Sequence, residues 1–265
     1  MRGNRGIVWK TPDITADGLK MFACIVMFIR TIGIVVIEKG MIHLESYTQS
    51  SLNEAMAQDS RLMTLAGLGA VSQLAGGLAI PIFAFLLVEG VRNTSDFKKY
   101  FLAMLGTALL SELPYDLAMS GKILDFSGQN GMFTMTICLI LLKCLELTGS
   151  ISGAAGKLVR FFEILAAVLW TSLFKSEYGL CMVLLTAVFY VFYTKNVIKT
   201  ILGGAISLMY VTGPLAFYGL WCYNGERKNR INKYLYYAVY PVSLLLAFIL
   251  AKGLNASGVI GERGL

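Results

Sequence analysis

The sequence predicts an all-α protein, a polytopic integral membrane bundle of about eight transmembrane helices, on two observations. The chain has 265 residues, of which 56% are hydrophobic and 15% are charged, whereas an ordinary soluble domain is about 25% charged. Its apolar residues fall in runs of roughly 16 to 25, which as helices can cross about 30 Å of hydrocarbon. The alternation typical of barrel strands does not occur in the sequence.

Eight apolar runs are predicted to be spans. The connections between most of them are short, so residues 1–265 are predicted to form one transmembrane domain without a soluble domain. The sixth run, at about 16 residues, is short enough to be tilted, half-buried or re-entrant. The predicted spans are residues 18–37, 73–91, 97–119, 132–148, 158–174, 178–193, 197–221 and 234–251.

The longest connection, residues 39–72, contains the polar stretch SYTQSSLNEAMAQDSR. We predict an extramembrane loop with a short interfacial helix over one face of the bundle. At the N-terminus, basic MRGNRG precedes polar TPDITADG and a full-length span, which is not the pattern of a cleavable signal peptide. Asp13 or Thr15 is predicted to cap the first helix.

Lysine and arginine in the loops predict a multi-pass protein of the cell membrane with a cytoplasmic N-terminus. One loop departs from this pattern, because eight spans place the basic stretch YNGERKNRINK outside. Either one span is miscounted, or that loop is basic because it binds an anionic group. The sequence leaves both explanations open.

The net charge of +7 follows mostly from this topology. Anionic membrane lipids are the expected partner, and a nucleic-acid partner is not expected. The five cysteines lack the paired spacing of a metal site, so they are predicted to be packing residues. The single histidine, His43, lies just beyond the first span, so neither a histidine-rich metal site nor a Ser-His-Asp site can form inside the bundle, and no metal is predicted.

Two carboxylates, Glu112 and Asp116, lie one helical turn apart in LLSELPYD, where Pro114 is predicted to kink or end the helix. A charge in hydrocarbon costs several kcal/mol and needs a partner, a proton or water. We predict that this pair is catalytic, as a general base or as an acid that orients an amine or hydroxyl substrate. The alternative is structural, with Asp116 solvated at the interface and Glu112 neutral or paired.

A second group of charges connects the second and third predicted spans. Glu89 and Arg92 are three residues apart and close enough to pair on one helix face, and Lys98 and Lys99 begin the next helix. Arg92, Lys98 and Lys99, with Glu89 beside them, are predicted to form a phosphate-binding rim where an anionic cofactor enters from the cytosol. The alternative is ordinary positive-inside anchoring.

Arg30 falls near the middle of the first predicted span, where an arginine is a functional-site candidate with a carboxylate partner. We predict Glu112 as that partner, and a purely structural ion pair is the alternative. Asn130 and Thr134 lie one turn apart at the start of the fourth span. They are predicted to be a helix cap and a packing hydroxyl, or to bind a substrate carbonyl, and the cap is favoured for Asn130.

Five blocks of the sequence stand in an informative order: DGLKMFACIVMFIRTIG, AIPIFAFLLVEGVRNTSDFKKYFLAMLGTALLSELPYDLA, QNGMFTM, EYGLCMVLLTAVFY and YNGERKNRINKYLYYAVYPVSLLLAF. In these blocks the chain resembles the TraX family, membrane proteins associated with conjugal transfer whose named member N-acetylates the pilin subunit. The resemblance implies acyl transfer from acetyl-CoA or another acyl-CoA to an amine of a membrane-associated peptide or small molecule.

Two positions depart from the family pattern. Arg30 and Thr31 stand where relatives typically have an Asp-His pair, and Ser243 stands where relatives that read Tyr-Pro-x-His have the histidine. Histidine is the usual base near neutral pH. By this resemblance, Tyr240 and Ser243 join Arg30 in the predicted substrate site.

Three functions stay open at the level of sequence. In the first, the chain is an acyl-CoA-dependent N-acyltransferase with Glu112 or Asp116 as the base. In the second, it is a non-catalytic relative, a binding or assembly subunit in which Arg30 pairs with Glu112. In the third, the polar interior is a transport path. His43 would supply a base if its loop folded over the mouth of the bundle.

Overall fold

The computed structural model describes residues 13–226 and 232–256, and within these ranges the chain forms helices joined by short turns. Two isolated bridges, Ile14 with Tyr223 and Gln129 with Ser176, are the β pairing in this part of the chain. The predicted all-α class is therefore confirmed. Several loop cations lie outside the described residues, namely Arg2, Arg5, Lys10, Arg227, Lys228, Arg230 and Arg263.

The helices are numbered in chain order. Helix α1 runs directly into a π-helical segment, Gly33–Ile42, and short 3₁₀ turns occur at Leu44–Ser46, Leu208–Tyr210 and Gly213–Leu215. The α-helices are α1 Ala16–Ile32, α2 Gln49–Gln58, α3 Ser60–Gly77, α4 Ala79–Asn93, α5 Phe97–Ser120, α6 Gly131–Leu147, α7 Gly153–Leu173, α8 Gly179–Val191, α9 Asn196–Ser207, α10 Ala216–Trp221 and α11 Lys233–Ala256.

Several local predictions can be compared with these bounds. The side chain of Thr15 accepts the Gly18 N–H at 3.3 Å, so Thr15 is the predicted cap of α1. Helix α2 is the short helix expected in the polar connection, but residues 60–72 of that connection form the first part of α3. Pro114 does not end α5, which continues to Ser120.

Three helices of the described chain are long and apolar enough to cross a membrane, Ala16–Ile42, Ser60–Asn93 and Tyr234–Leu254. Shorter apolar helices occur at Gly179–Val191 and Asn196–Tyr210. The chain is thus a helical bundle of membrane character, and the predicted number of about eight spans is not confirmed.

The buried side chains form two clusters. The larger one surrounds α4, where Ile82 and Leu87 pack with Leu142 of α6 and Phe189 of α8. The smaller one joins the π-helical segment to α5 and α11. Outside these clusters, large apolar side chains remain exposed, among them Leu110, Leu173, Val197 and Ile249 at 75, 73, 72 and 62%. Soluble monomers rarely expose so much apolar surface, so lipid is the environment that this surface fits.

The segment predicted as the seventh span, residues 197–221, is a helical hairpin instead of a single span. Helix α9 is followed by two 3₁₀ turns and by α10, which returns to the end from which α9 started. Trp221 Nε1 donates to Thr200 Oγ1 at 3.0 Å, and Tyr223 pairs with Ile14 just before α1. That prediction was wrong, because the apolar run is long enough for one span but breaks in its middle.

We call the end of the bundle at which α1 begins the proximal end, and the opposite one the distal end. Helix α11 also begins at the proximal end, since Lys20 of α1 lies over the ring of Tyr236 with Nζ 5.3 Å from its centroid. Both flanks of the basic loop that departed from the charge pattern therefore lie at the end where the chain enters α1. This placement agrees with the first of the two explanations, a miscounted span.

Candidate functional site

A cleft of about 430 Å³ opens at the proximal end of the bundle. Its walls come from α4, α8, α9 and α10 and from residues 223–225, so the hairpin closes one side of it. Phe85, Phe189 and Phe217 give the cleft an apolar lining, while Glu89 and Lys199 bring opposite charges into it. Small-molecule sites commonly combine apolar walls with a few polar groups in this way.

Glu89 is the buried carboxylate of this cleft, with 5% of its surface exposed. The hydroxyl of Tyr193 donates to Glu89 Oε1 at 2.6 Å, and that of Tyr223 lies 3.5 Å from Oε2. Asn93 Nδ2 donates to the Glu89 carbonyl at 2.8 Å and lies 3.3 Å from Oε2. Hydrogen bonds to a carboxylate are strong, so these groups fix its orientation.

Lys199 faces the same cleft from the first turn of α9. Its ammonium donates to the Tyr193 carbonyl at 3.3 Å and lies 5.8 Å from the centroid of the Phe85 ring. From the sequence alone, Lys199 cannot be distinguished from the other lysines and arginines near the ends of the predicted spans. The hairpin that brings it beside Glu89 could not be recognised from the apolar run alone.

Of the predicted phosphate-binding rim, Arg92 lies next to the cleft. The guanidinium of Arg92 lies 3.9 Å from the centroid of the Tyr193 ring, so one side chain contacts both Arg92 and Glu89. Lys98 and Lys99 are exposed on the first turn of α5. Lys99 Nζ is 3.2 Å from Asp96 Oδ2, and the Lys99 N–H donates to Asp96, which lowers the pKa of that carboxyl. An exposed pair of this kind holds its lysine only weakly.

Arg30 forms an ion pair with Glu177 in the structure, with Nη1 and Oε1 3.8 Å apart. Its guanidinium also lies 5.0 Å from the centroid of the Tyr178 ring. Glu112 was the wrong partner to predict. Glu177 lies in the α7–α8 turn, which the sequence placed outside the spans, and Thr134 holds that turn in place by donating to the Glu177 carbonyl at 2.6 Å.

Glu112 is bound instead by Asn130, whose Nδ2 donates to Oε2 at 2.5 Å. Asn130 is fully buried, donates to the Ala108 carbonyl at 2.9 Å and accepts the Met132 N–H at 3.0 Å, so the predicted cap of α6 is confirmed. The other oxygen, Glu112 Oε1, is buried and makes no hydrogen bond to the described chain.

Asp116 has a structural contact one turn further along α5. Only 2% of its surface is exposed, and its Oδ2 accepts the Asp125 N–H at 2.9 Å. The alternative that Asp116 is solvated is therefore wrong, because the α5–α6 connection folds back over it.

Thr31 and Ser243, which stand where the family pattern has histidines, both turn their hydroxyls toward their own helices. Thr31 Oγ1 donates to the Met27 carbonyl at 3.0 Å, and Ser243 Oγ donates to the Tyr240 carbonyl at 2.7 Å. His43, at the distal end of the π-helical segment, is exposed and has a left-handed backbone with φ 53°. The cleft lies at the other end of the bundle.

Five side chains meet toward the distal end, and we call them the distal cluster: Arg30, Glu112, Tyr115, Glu177 and Tyr240. Arg30 pairs with Glu177, Glu112 and Tyr115 lie one turn apart on α5, and Tyr240 packs against the buried cluster that contains Tyr115. Arg30, Glu112 and Tyr240, which the sequence predicted for the reaction site, thus lie toward the same end of the bundle. They are far from the cleft, because α8 separates the two sites by about 20 Å at a rise of about 1.5 Å per residue.

The comparisons with known proteins agree with the resemblance in sequence. A family model described as TraX protein matches residues 15–251. Neither the curated proteins nor the solved structures gave a match.

Proposed function

The chain belongs to the TraX family, and we propose that it is a membrane acyltransferase. It moves an acyl group, such as acetyl, from cytosolic acyl-CoA to an amine of a membrane-associated peptide or small molecule. The observation that carries this proposal is the buried carboxylate of Glu89, held at 2.6 Å by Tyr193 inside a cleft that adjoins Arg92.

The cleft and its surroundings suit a long ligand with an anionic head. In this proposal Arg92, Lys98 and Lys99 bind the phosphates, for which arginine and lysine are the usual ligands. The apolar lining of Phe85 and Phe217 accepts the uncharged arm. The volume of about 430 Å³ is in the ordinary range for small-molecule sites.

Residues of the cleft provide the groups that acyl transfer needs. An acyl-CoA thioester supplies the acyl group, and its transfer to an amine forms an amide and releases the coenzyme A thiol. In our proposal Glu89 takes the proton that the amine nitrogen loses as the new carbon–nitrogen bond forms, and passes this proton to the sulfur as the carbon–sulfur bond breaks. Tyr193 orients Glu89, and the Lys199 ammonium stabilises the negative charge on the carbonyl oxygen.

The sequence favoured other bases, Glu112 and Asp116, and these remain a rival proposal with Arg30, Asn130, Thr134, Tyr240 and Ser243 around the substrate. Glu112 lies about 20 Å beyond Lys99 along α5, at a rise of about 1.5 Å per residue. The contacts of Glu89 put a carboxylate beside the proposed phosphate site without that separation. We therefore favour Glu89.

The same proposal assigns a multi-pass topology with a cytoplasmic N-terminus. In it α1, the continuous α3–α4 helix, α5, α6, α7, α8 and α11 cross the membrane, and residues 196–223 enter and leave on the cytoplasmic side. Seven crossings replace the eight predicted ones. The cleft, the phosphate site and both flanks of the basic loop then share the cytoplasmic side, in agreement with the positive-inside rule.

The test uses detergent-purified protein, acetyl-CoA as donor and n-octylamine as a membrane-partitioning acceptor. Calorimetry measures acetyl-CoA binding, and release of free thiol measures turnover. We expect the combined Arg92→Ala, Lys98→Ala, Lys99→Ala variant to lose binding, and Glu89→Gln to bind but not turn over. Glu54→Gln, an exposed change on α2, is the control.

Two results would contradict parts of the proposal. No binding of acetyl-CoA to the wild-type protein favours the non-catalytic alternative, a binding or assembly subunit. Turnover that survives in Glu89→Gln and disappears in Glu112→Gln moves the base to the distal cluster.

A further inference from the structure

The distal cluster contains hydrogen-bonding groups that its own residues leave unsatisfied. Glu112 Oε2 is bound by Asn130, but Oε1 is buried and makes no hydrogen bond to the described part of the chain. An ionised carboxylate leaves Oε1 without a donor, and a protonated one leaves its O–H without an acceptor. Leaving such a group unpaired in the interior is destabilising.

Arg30 has the complementary shortage, because its N–H donors lack acceptors among the described residues. A guanidinium carries five N–H donors in a planar fork. Within the described ranges, Arg30 has the Tyr178 ring at 5.0 Å and Glu177 at 3.8 Å, which is beyond hydrogen-bond distance. The side chains of Arg30 and Glu177 are 16 and 19% exposed, so the pair is mostly buried yet reachable.

These two deficits lie on either side of the first turn of α6. Asn130, at the start of α6, binds Glu112. Thr134, one turn later, donates to the carbonyl of Glu177, the partner of Arg30. One ligand beside this turn would reach both groups if it carries an anion for the arginine and an N–H donor for the carboxylate.

We propose that the distal cluster binds a zwitterion with a primary ammonium group. Its anionic group accepts hydrogen bonds from the Arg30 guanidinium, and its ammonium donates to Glu112 Oε1. Two sources have this chemistry, the headgroup of phosphatidylethanolamine and a free α-amino acid. The site is separate from the acyl-CoA cleft, so this inference goes beyond the proposed acyl transfer and does not require it.

The experiment compares matched ligands on the wild-type protein, which needs no variant to fold. Dihexanoyl phosphatidylethanolamine is paired with dihexanoyl phosphatidylcholine, and glycine is paired with betaine, its trimethylated form. Trimethylation keeps the positive charge but removes every N–H donor. Binding is measured by calorimetry and by the melting temperature of the detergent-solubilised protein.

We expect the primary amine of one pair to bind at least about tenfold more tightly than its trimethylated partner, because a hydrogen bond to a charged group is lost. A preference within the lipid pair identifies the headgroup as the source, and one within the amino-acid pair identifies a free amino acid. Equal binding within both pairs, or no binding in either, overturns the proposal.

Variants then locate the site. Arg30→Gln and Glu112→Gln are each expected to reduce binding of the preferred ligand about tenfold, while the exposed controls Arg61→Gln and Glu54→Gln leave it unchanged. Full binding in both distal variants would place the ligand elsewhere. Acetyl-CoA binding, measured in the same variants, reports separately on the cleft.

Discussion

The hydroxyl of Tyr193 donates to Glu89 at 2.6 Å while the ring of the same residue lies 3.9 Å from the Arg92 guanidinium. A buried carboxylate and an exposed cation are therefore positioned by one side chain. The two contacts use different parts of Tyr193, the hydroxyl and the ring face. They can be separated by removing the oxygen alone.

Tyr193→Phe keeps the ring and loses the hydrogen bond to Glu89. We expect acetyl-CoA binding within about twofold of wild type, because Arg92 keeps its aromatic neighbour, and turnover lower by about ten- to a hundredfold, because the base is no longer oriented. Tyr218→Phe is the matched control, since Tyr218 is 63% exposed on α10. Equal turnover in the two variants would show that the Tyr193 hydroxyl does not serve the reaction.

The hairpin of α9 and α10 makes a prediction about topology. In a background without native cysteines, single cysteines are placed by Gln58→Cys, Ser152→Cys and Asn224→Cys, all at exposed positions. Residue 58 lies in the connection after the distal end of α1. Residue 152, which follows α6, and residue 224, which bonds to Ile14, lie at the proximal end. Intact cells are treated with a membrane-impermeant maleimide.

We expect residue 58 to be labelled in intact cells and residues 152 and 224 only after permeabilisation. Eight full spans would instead give residue 224 the same labelling as residue 58. Ser152→Cys marks the cytoplasmic side in either topology, so it shows that the cells are sealed.

The sequence predicted the helices well and the turns poorly. Long apolar runs are sufficient to recognise membrane helices, and an asparagine before such a run is sufficient to recognise the Asn130 cap. The hairpin was missed because its two arms together have the length of one span. The sequence did contain a signal, since Gly213 and Pro214 break the run. In the structure the break also includes Val211, with φ 45°.

The partner of Arg30 was missed for a related reason. The acids inside predicted spans were the expected partners, but Glu177 lies in the turn between α7 and α8, and Thr134 fixes that turn from a third helix. Pairing across three elements depends on how the helices pack, which one sequence does not reveal. Glu89 was recognised as a charged residue beside Arg92, but the cleft around it again depends on the hairpin.

Asn130 gives a prediction about stability. Asn130→Ala removes the cap of α6 and the donors to Glu112 and Ala108, and we expect it to lower the free energy of unfolding by about 3 kcal/mol. Asn130→Asp keeps an acceptor for the cap but places a second carboxyl beside Glu112, so it separates the two roles. Unfolding in mixed detergent micelles measures both.

The matched control for this pair is Asn53→Ala, at an exposed position of α2, which we expect to change stability by less than about 0.5 kcal/mol. If Asn130→Asp were as stable as wild type, the contact with Glu112 would contribute little and the cap would account for the role of Asn130.

Helix α3 offers two glycines that test the packing around Arg30. A Cβ on Gly76 would overlap Arg30 Cδ and lie 2.6 Å from Arg30 Cβ, whereas a Cβ on Gly67 would meet nothing within 4 Å. Gly67→Ala should therefore stabilise the helix by up to about 1 kcal/mol, because alanine has the higher helix propensity. Gly76→Ala makes the same change in propensity but forces Arg30 and α1 away from α3, at a cost of about 1–3 kcal/mol.

Unfolding in mixed micelles should give changes in the free energy of unfolding of opposite sign for the two variants. Two stabilising results would mean that α1 can move away from α3 at no cost, and the position of Arg30 would then not be fixed by this contact.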